Sequence, residues 1–336
     1  MNGATSRPRV VVITGAGAGV GRATARRFAR EGARIGLIGR DPARLGAAQQ
    51  EVRQLGGTAV AYPCDVADAA RVEAAAAAFE ATLGPIDVWV NNAMATVFSP
   101  VHAISAADFR RATEVTYLGT VHGTMAALRR MRARNRGTIV QVGSALSYRA
   151  IPLQAPYCGA KFAIRGFTDA LRCELLHERS RVHVTMVQMP ALDTPQFDWA
   201  RNHMPRRPQP VPPIFVPELA ADAIAWAADH RRREVYVGLP TVKAIWANKL
   251  VPGLLDRYLA RRGYDAQQSS ERASAGDDDN LYAPVAGPYA AHGRFDACAK
   301  PGRLGAWITL HRAGLAGALV GLAVAGLVGA RRLRET

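Results

Sequence analysis

The stretch Thr14-Gly15-Ala16-Gly17-Ala18-Gly19-Val20-Gly21 decides the fold. It follows Val10–Thr14, an apolar β-branched run that reads as a buried strand. It opens Gly19–Glu31, where Val20, Ala23 and Phe28 recur at helical spacing. A strand, a glycine-rich turn and a helix in that order bring bare backbone to a helix N-terminus. Such a terminus favours negative charge, so the turn is suited to a pyrophosphate. A tight turn with no ligand would carry the same glycines, so the rest of the chain must decide.

The same alternation continues to about residue 240. Strands are expected at Ala33–Gly39, Thr58–Cys64, Ile86–Val90, Thr138–Val142, Val182–Val187 and Glu234–Val237. Helices are expected at Pro42–Leu55, Ala67–Leu83, a stretch from Ser105 to about Arg134, Tyr157–Leu176 and Pro217–Asp229. Pro42 suits a first helical turn and Ser105 an N-cap. Strand–helix alternation predicts an α/β protein, a doubly wound parallel sheet with helices on both faces. Its ligand site lies beyond the carboxyl ends of the strands. The basic, proline-rich stretch 201–217 breaks the pattern and reads as an irregular loop of the kind that forms lids.

The 336 residues are 49% apolar and 21% charged, which excludes global disorder and a collagen-like chain. The net charge is +16, and only four of the 43 cations are lysines. That balance fits either a solvated basic surface or attraction to an anionic ligand or membrane. No zinc-finger spacing or RNA-binding signature supports a nucleic-acid partner. Cys64, Cys158, Cys173 and Cys298 form no CxxC pair, and no His/Cys spacing marks a metal site. Free thiols and an N-terminus without a signal-peptide pattern point to the cytoplasm.

Two further motifs carry chemistry. Leu37-Ile38-Gly39-Arg40-Asp41 closes the second strand with a glycine and an arginine where an acidic residue would bind the ribose 2′-hydroxyl of NAD. Arg40 offers charge and room for a 2′-phosphate, so NADP(H) is expected over NAD; a solvent-facing arginine is the alternative. In Tyr157-Cys158-Gly159-Ala160-Lys161 the tyrosine and lysine share one helix face, and a cation there lowers the cost of a phenolate. With four lysines in the chain, a chance Tyr-x-x-x-Lys is expected only ~0.1 times. Ser144, thirteen residues earlier, stands where its hydroxyl could reach a substrate carbonyl.

Taken together, residues 9 to about 240 resemble the short-chain dehydrogenase/reductase family. The resemblance rests on the turn at 14–21, Cys64-Asp65-Val66, Asn91-Asn92-Ala93, Ser144, Tyr157 with Lys161, and Pro190 with Thr194. It implies a Rossmann-type sheet of about seven strands, a nicotinamide cofactor and a homo-oligomer. It implies Tyr157 as general acid or base, Lys161 on the nicotinamide ribose, and Ser144 on the reacting oxygen. The cofactor would lie against Gly15, Gly19, Val20, Gly21, Arg40, Asp65, Val66, Asn92, Ala93, Tyr157, Lys161, Pro190 and Thr194. The expected activity is NADP(H)-dependent interconversion of a secondary alcohol and a carbonyl, on a small and apolar substrate. The alternative is a non-catalytic NADP-binding sensor. Three positions depart from the family pattern: Met94 and Ala191 replace glycines, and Thr116 replaces an asparagine that helps hold a water behind the lysine.

The expected organisation is a catalytic domain at 1–260, a polar linker or surface-wrapping tail at 261–303, and an apolar helix within 304–336. Residues 313–330 hold 18 consecutive uncharged residues, about 27 Å as a helix, including a Gly317/Gly321 pair. Membrane contact through this run is expected, whether spanning or lying on the surface; the alternative is a soluble helix docked on the body or at an oligomer interface. A spanning helix would place the arginines at 331, 332 and 334 outside, against the positive-inside tendency.

Overall fold

The computed structural model describes residues 7–274 and 276–311. The elements run β1 (Val10–Thr14), α1 (Gly19–Ala29), β2 (Arg34–Gly39), α2 (Pro42–Gln54), β3 (Thr58–Pro63), α3 (Ala69–Leu83), β4 (Val88–Asn91), β5 (Val97–Phe98), α4 (Ala106–Thr113) and α5 (Gly119–Arg134). They continue with β6 (Thr138–Ser144), α6 (Ala155–His177), β7 (His183–Met189), α7 (Gln196–Trp199), β8 (Arg201–Asn202), β9 (Arg206–Pro208), α8 (Pro217–Asp229), β10 (Glu234–Tyr236), α9 (Gly238–Leu250), α10 (Pro252–Arg262), β11 (Gln268–Arg272) and α11 (Arg303–Leu310).

Seven parallel strands form the sheet in the order β10-β7-β6-β4-β1-β2-β3. This is the doubly wound sheet the alternation predicts. Side chains alternate across it with the two-residue period of a strand. Val11 and Ile13 join the core formed with α1, α2 and α8, while Val10 and Val12 join the core under α3, α5 and α6. Burial on both faces explains why β1 is apolar throughout rather than alternating. The chain reverses its direction of travel across the sheet between β1 and β4. The crevice at their carboxyl ends is therefore the topological switch point.

The stretch 201–217 corrects the expectation of an irregular lid. It contains β8, which pairs with β5, and β9, which pairs antiparallel with β11. Strands of two or three residues carry no readable period, and their partners lie far away in sequence. Residues 276–300 wrap back over the body, burying Leu281, Val285 and Ala291. The acidic cluster anchors this wrap through Arg207–Asp277 and Arg201–Asp279 ion pairs. The uncharged run 313–330 lies outside the described residues. Among those residues, no helix is long and apolar enough to cross a membrane.

Candidate active site

The glycine-rich turn is a cradle that tolerates no side chain at its closest points. Gly15 has φ +67°, and a Cβ there would stand 2.9 Å from Ala93 Cα. At Gly21 a Cβ would stand 2.2 Å from the Gly15 carbonyl oxygen. Thr14 locks the turn to the end of β4, because its Oγ1 accepts from the N–H groups of Asn92 (2.9 Å) and Ala93 (3.0 Å). Asn92 returns a bond from Nδ2 to the Thr14 carbonyl at 3.0 Å. The result is a cleft of about 200 Å³ lined by Gly15, Gly19, Val20, Arg40, Asp65, Val66, Asn92, Ala93 and Thr194, among others. Its glycine floor, α1 N-terminus and flanking cations fit the phosphates of a dinucleotide.

A second cavity of about 360 Å³ adjoins it, and Val20, Asn92, Met94, Thr194 and Gln196 line both. Ser144, Tyr157, Lys161 and Pro190 face this second space. The sequence-predicted residues thus divide between two connected cavities, with the glycine turn in one and the Ser–Tyr–Lys set in the other. Ser144 ends β6, and its Oγ also accepts from Leu146 N at 3.1 Å, capping the turn that follows. Tyr157 and Lys161 lie one turn apart on α6, with Lys161 Nζ 5.4 Å from the centre of the Tyr157 ring.

Burial disfavours the charged form of both groups. Burial pushes the Tyr157 hydroxyl well above its ordinary range, opposed by a hydrogen bond with Ser144. Burial alone lowers Lys161 to about 7, and its Nζ donates to the Val142 carbonyl at 2.6 Å. An anion forming on Tyr157 would favour the protonated lysine, so the two groups ionise best together.

One sequence reading changes here. Arg40 is neither solvent-facing nor free: it donates to the carbonyls of Asn280 and Leu281 from the returning tail. The next residue, Asp41, caps the α2 N-terminus and pairs with Arg44 at 2.7 Å. Asp193 accepts from Phe295 N at 3.0 Å and is fully buried. Thr116 sits on a π-helical turn, Glu114–Leu118, and its hydroxyl bonds both the carbonyl (2.8 Å) and the N–H (3.0 Å) of Ala95. That hydroxyl is therefore occupied by backbone. Asp65 keeps its place beside the cleft but is ion-paired with Arg111.

Sequence reasoning allowed a surface-wrapping tail at 261–303 but did not place it against the cleft, which it walls as a strap. The Ala290 carbonyl accepts from Gly19 N at 2.9 Å and the Tyr289 carbonyl from Arg22 at 3.0 Å. Tyr289 stands edge-on to Trp199 at 4.6 Å, and the Arg44 guanidinium lies 4.8 Å from the Trp199 ring centre. His292 latches the strap, with Glu218 of α8 at Nε2 (2.9 Å) and Asp296 of its own segment at Nδ1. Buried Asp193 lies 3.9 Å from Nδ1, and Arg26 of α1 acts on Glu218 from the far side.

Burial would lower the His292 pKa, but the flanking carboxylates of Glu218 and Asp296 outweigh it and raise the value. A raised histidine stabilises the fold fully below its unfolded pKa, and that contribution is lost as pH rises through the folded value. Thermal stability should therefore fall as pH rises from the ordinary histidine value of 6.5 through the raised folded value. A His292→Gln variant followed by thermal melts should show a flatter profile across that window. An equal fall in the variant would place the effect elsewhere.

A family model described as short chain dehydrogenase matches residues 9–204. The uncharacterized oxidoreductase YxnA of Bacillus subtilis is 31% identical over 278 residues, covering 82% of this chain and 78% of that protein. The 2-(S)-hydroxypropyl-CoM dehydrogenase 3 of Xanthobacter autotrophicus is 38% identical over 177 residues, covering 52% of this chain and 68% of that one. Among solved structures, a metagenomic short-chain oxidoreductase in complex with NADP is similar at TM-score 0.58 and 27% identity, over 68% of this chain and 96% of the other. An alcohol dehydrogenase from the archaeon Thermococcus sibiricus, complexed with 5-hydroxy-NADP, is similar at TM-score 0.59 and 26% identity, again over 68% and 96%. With the glycine cradle, the switch-point cleft and the Ser–Tyr–Lys set on one sheet, the chain belongs to the short-chain dehydrogenase family of oxidoreductases.

Proposed function

We propose that the protein interconverts a secondary alcohol and a carbonyl using NADP(H). The observation that carries this reading is the convergence of Ser144, Tyr157 and Lys161 on a cavity continuous with the glycine cradle. When bound, the cofactor supplies or accepts the hydride. The Ser144 hydroxyl donates to the substrate oxygen and fixes its position. Tyr157 gives that oxygen a proton in reduction and takes one in oxidation. The Lys161 ammonium offsets the charge left on Tyr157. Apolar Leu146, Ile151, Met189, Leu192, Phe197 and Val211 line much of the cavity and favour an apolar substrate.

NADP is favoured over NAD because Asp41 is spent on capping α2, while Arg40, Arg44 and Arg111 gather around the end of β2. Arg40→Asp should move the ratio of kcat/KM for NADPH over NADH toward NADH by about tenfold or more, the size of one lost charged contact. Steady-state kinetics with both cofactors decide this. A native preference for NADH would reverse the assignment.

The sensor reading draws on one observation, the occupied hydroxyl of Thr116. Tight NADPH binding with no turnover on a broad set of ketones and aldehydes would favour it. Turnover on any of them selects the enzyme.

A further inference from the structure

Helices α9, α10 and α11 pack side by side at one end of the sheet and leave an apolar face uncovered. On α9, Leu239, Lys243, Trp246 and Leu250 fall at i, i+4, i+7 and i+11, a single stripe, and all are exposed. No residue of α10 is buried. Trp246, Leu250, Leu254, Tyr258, Leu304 and Trp307 are each between 50% and 74% exposed. A contiguous cluster of six exposed large apolar side chains marks a surface suited to being covered.

The charge around the face indicates what covers it. Lys243, Lys249, Arg257, Arg261, Arg262 and Arg303 stand on these three helices, against a single acid, Asp256, which is paired with Arg149. Lys249 Nζ lies 4.9 Å from the Trp246 ring centre. Tryptophan and leucine rimmed by lysine and arginine are the composition of a helix lying in a bilayer interface, with cations on lipid phosphates. The same helices open onto the active site: Pro240, Thr241 and Ala244 of α9 and Tyr258, Leu259 and Arg262 of α10 line the cavity that holds Ser144 and Tyr157. Tyr258 belongs to both, exposed outside and lining within. In sequence, α11 leads on to the uncharged run 313–330.

We propose that the α9–α11 face docks on an anionic lipid bilayer and that the cavity draws its alcohol or carbonyl substrate directly from that surface. The substrate half of this proposal rests on the function assigned above; the docking half does not. The face dips its apolar stripe into the interface while the cationic rim holds phosphate. The mouth between α9 and α10 then meets the lipid side, so a substrate partitioned into the bilayer reaches the site without crossing water.

The test is co-sedimentation of the full chain with vesicles of phosphatidylcholine alone and with added phosphatidylserine. The full chain should pellet with the anionic vesicles, and added salt should weaken this. The double variant Leu250→Glu/Leu254→Glu should lower partitioning by about tenfold or more, as expected when two leucines are charged at an interface. Leu176→Glu, at an equally exposed leucine on α6, should leave it unchanged. Both positions of the double variant lie outside the cavity lining, so turnover of a water-soluble ketone should persist. Loss of that turnover in the wild-type chain would count against the enzymatic reading while leaving docking intact.

Three results would overturn the proposal. One is wild-type chain that stays in the supernatant, or pellets equally with and without the double variant. Another is a double variant that converts a dimer to a monomer in sedimentation velocity, which would assign the face to a second copy. The last is vesicle binding that appears only when residues 312–336 are removed, which would assign the face to the chain's own C-terminal segment.

Discussion

Tyr157→Phe should lower turnover by about 10²- to 10⁴-fold, the contribution of a positioned proton donor, while the dissociation constant for NADPH stays within about twofold. The substitution removes one oxygen and keeps the ring that packs in α6. Lys161 stays buried at its place beside the ring and keeps its bond to the Val142 carbonyl. The glycine cradle and its Thr14–Asn92 lock are untouched. Binding followed by cofactor fluorescence and turnover followed by NADPH absorbance separate the two effects. A variant that binds and turns over as the wild type does would remove Tyr157 from the chemistry. A variant that loses binding as well would show that the hydroxyl matters to the cofactor rather than to the proton.

The second large effect is expected at Gly21. A Cβ at this position would stand 2.2 Å from the Gly15 carbonyl oxygen and 2.7 Å from Asn92 Nδ2. Neither neighbour can yield cheaply, since one is backbone in the turn and the other locks the turn to β4. Gly21→Val adds two further methyl groups to that clash. The turn must open, at a cost of about 1–3 kcal/mol or more, and the cradle loses its shape. NADPH affinity should fall by about 100-fold or more, with a lower melting temperature. Gly46 in α2 provides the contrast, because a Cβ there meets nothing within 4 Å. Gly46→Ala should stabilise the chain by about 0.5–1 kcal/mol and leave affinity alone. Equal behaviour of the two variants would contradict the close-packed cradle.

The parts of this molecule legible in its sequence are those encoded locally. The turn at 14–21 announces itself because strand, glycines and helix are adjacent. Tyr157 and Lys161 are readable because four residues make one helical turn. Ser105 shows its capping role, and it accepts from Asp108 N as its position suggests. What the sequence hides is contact between distant segments. Arg40 meets Asn280 across 240 residues, and Gly19 meets Ala290 across 271. No periodicity signals that a polar tail will return carbonyls to the cleft, because backbone acceptors leave no mark on composition. The Thr116 hydroxyl on its π-helical turn is a similar case, because its partner Ala95 lies 21 residues away in the loop after β4. Asp193 is another such case, since its partner is Phe295, 102 residues on.

The strap brings the tail against the wall of the glycine-lined cleft. It supplies carbonyl oxygens to Gly19, Arg22, Arg40 and Arg111, four donors along the edge of the cleft. Those bonds hold cationic and N–H groups in place, and they draw on donors that a phosphate would also seek.

The central claim, that Ser144, Tyr157 and Lys161 perform proton transfer beside an NADP(H) site, is tested most directly by one assay. Purified full-length chain is mixed with NADPH and a panel of ketones and aldehydes, and the loss of NADPH absorbance is followed. Steady oxidation of NADPH on apolar carbonyl substrates is expected, faster than with NADH and lowered by about 100-fold or more in Tyr157→Phe. Saturable NADPH binding with no oxidation across the panel, or oxidation in Tyr157→Phe at the wild-type rate, would contradict it.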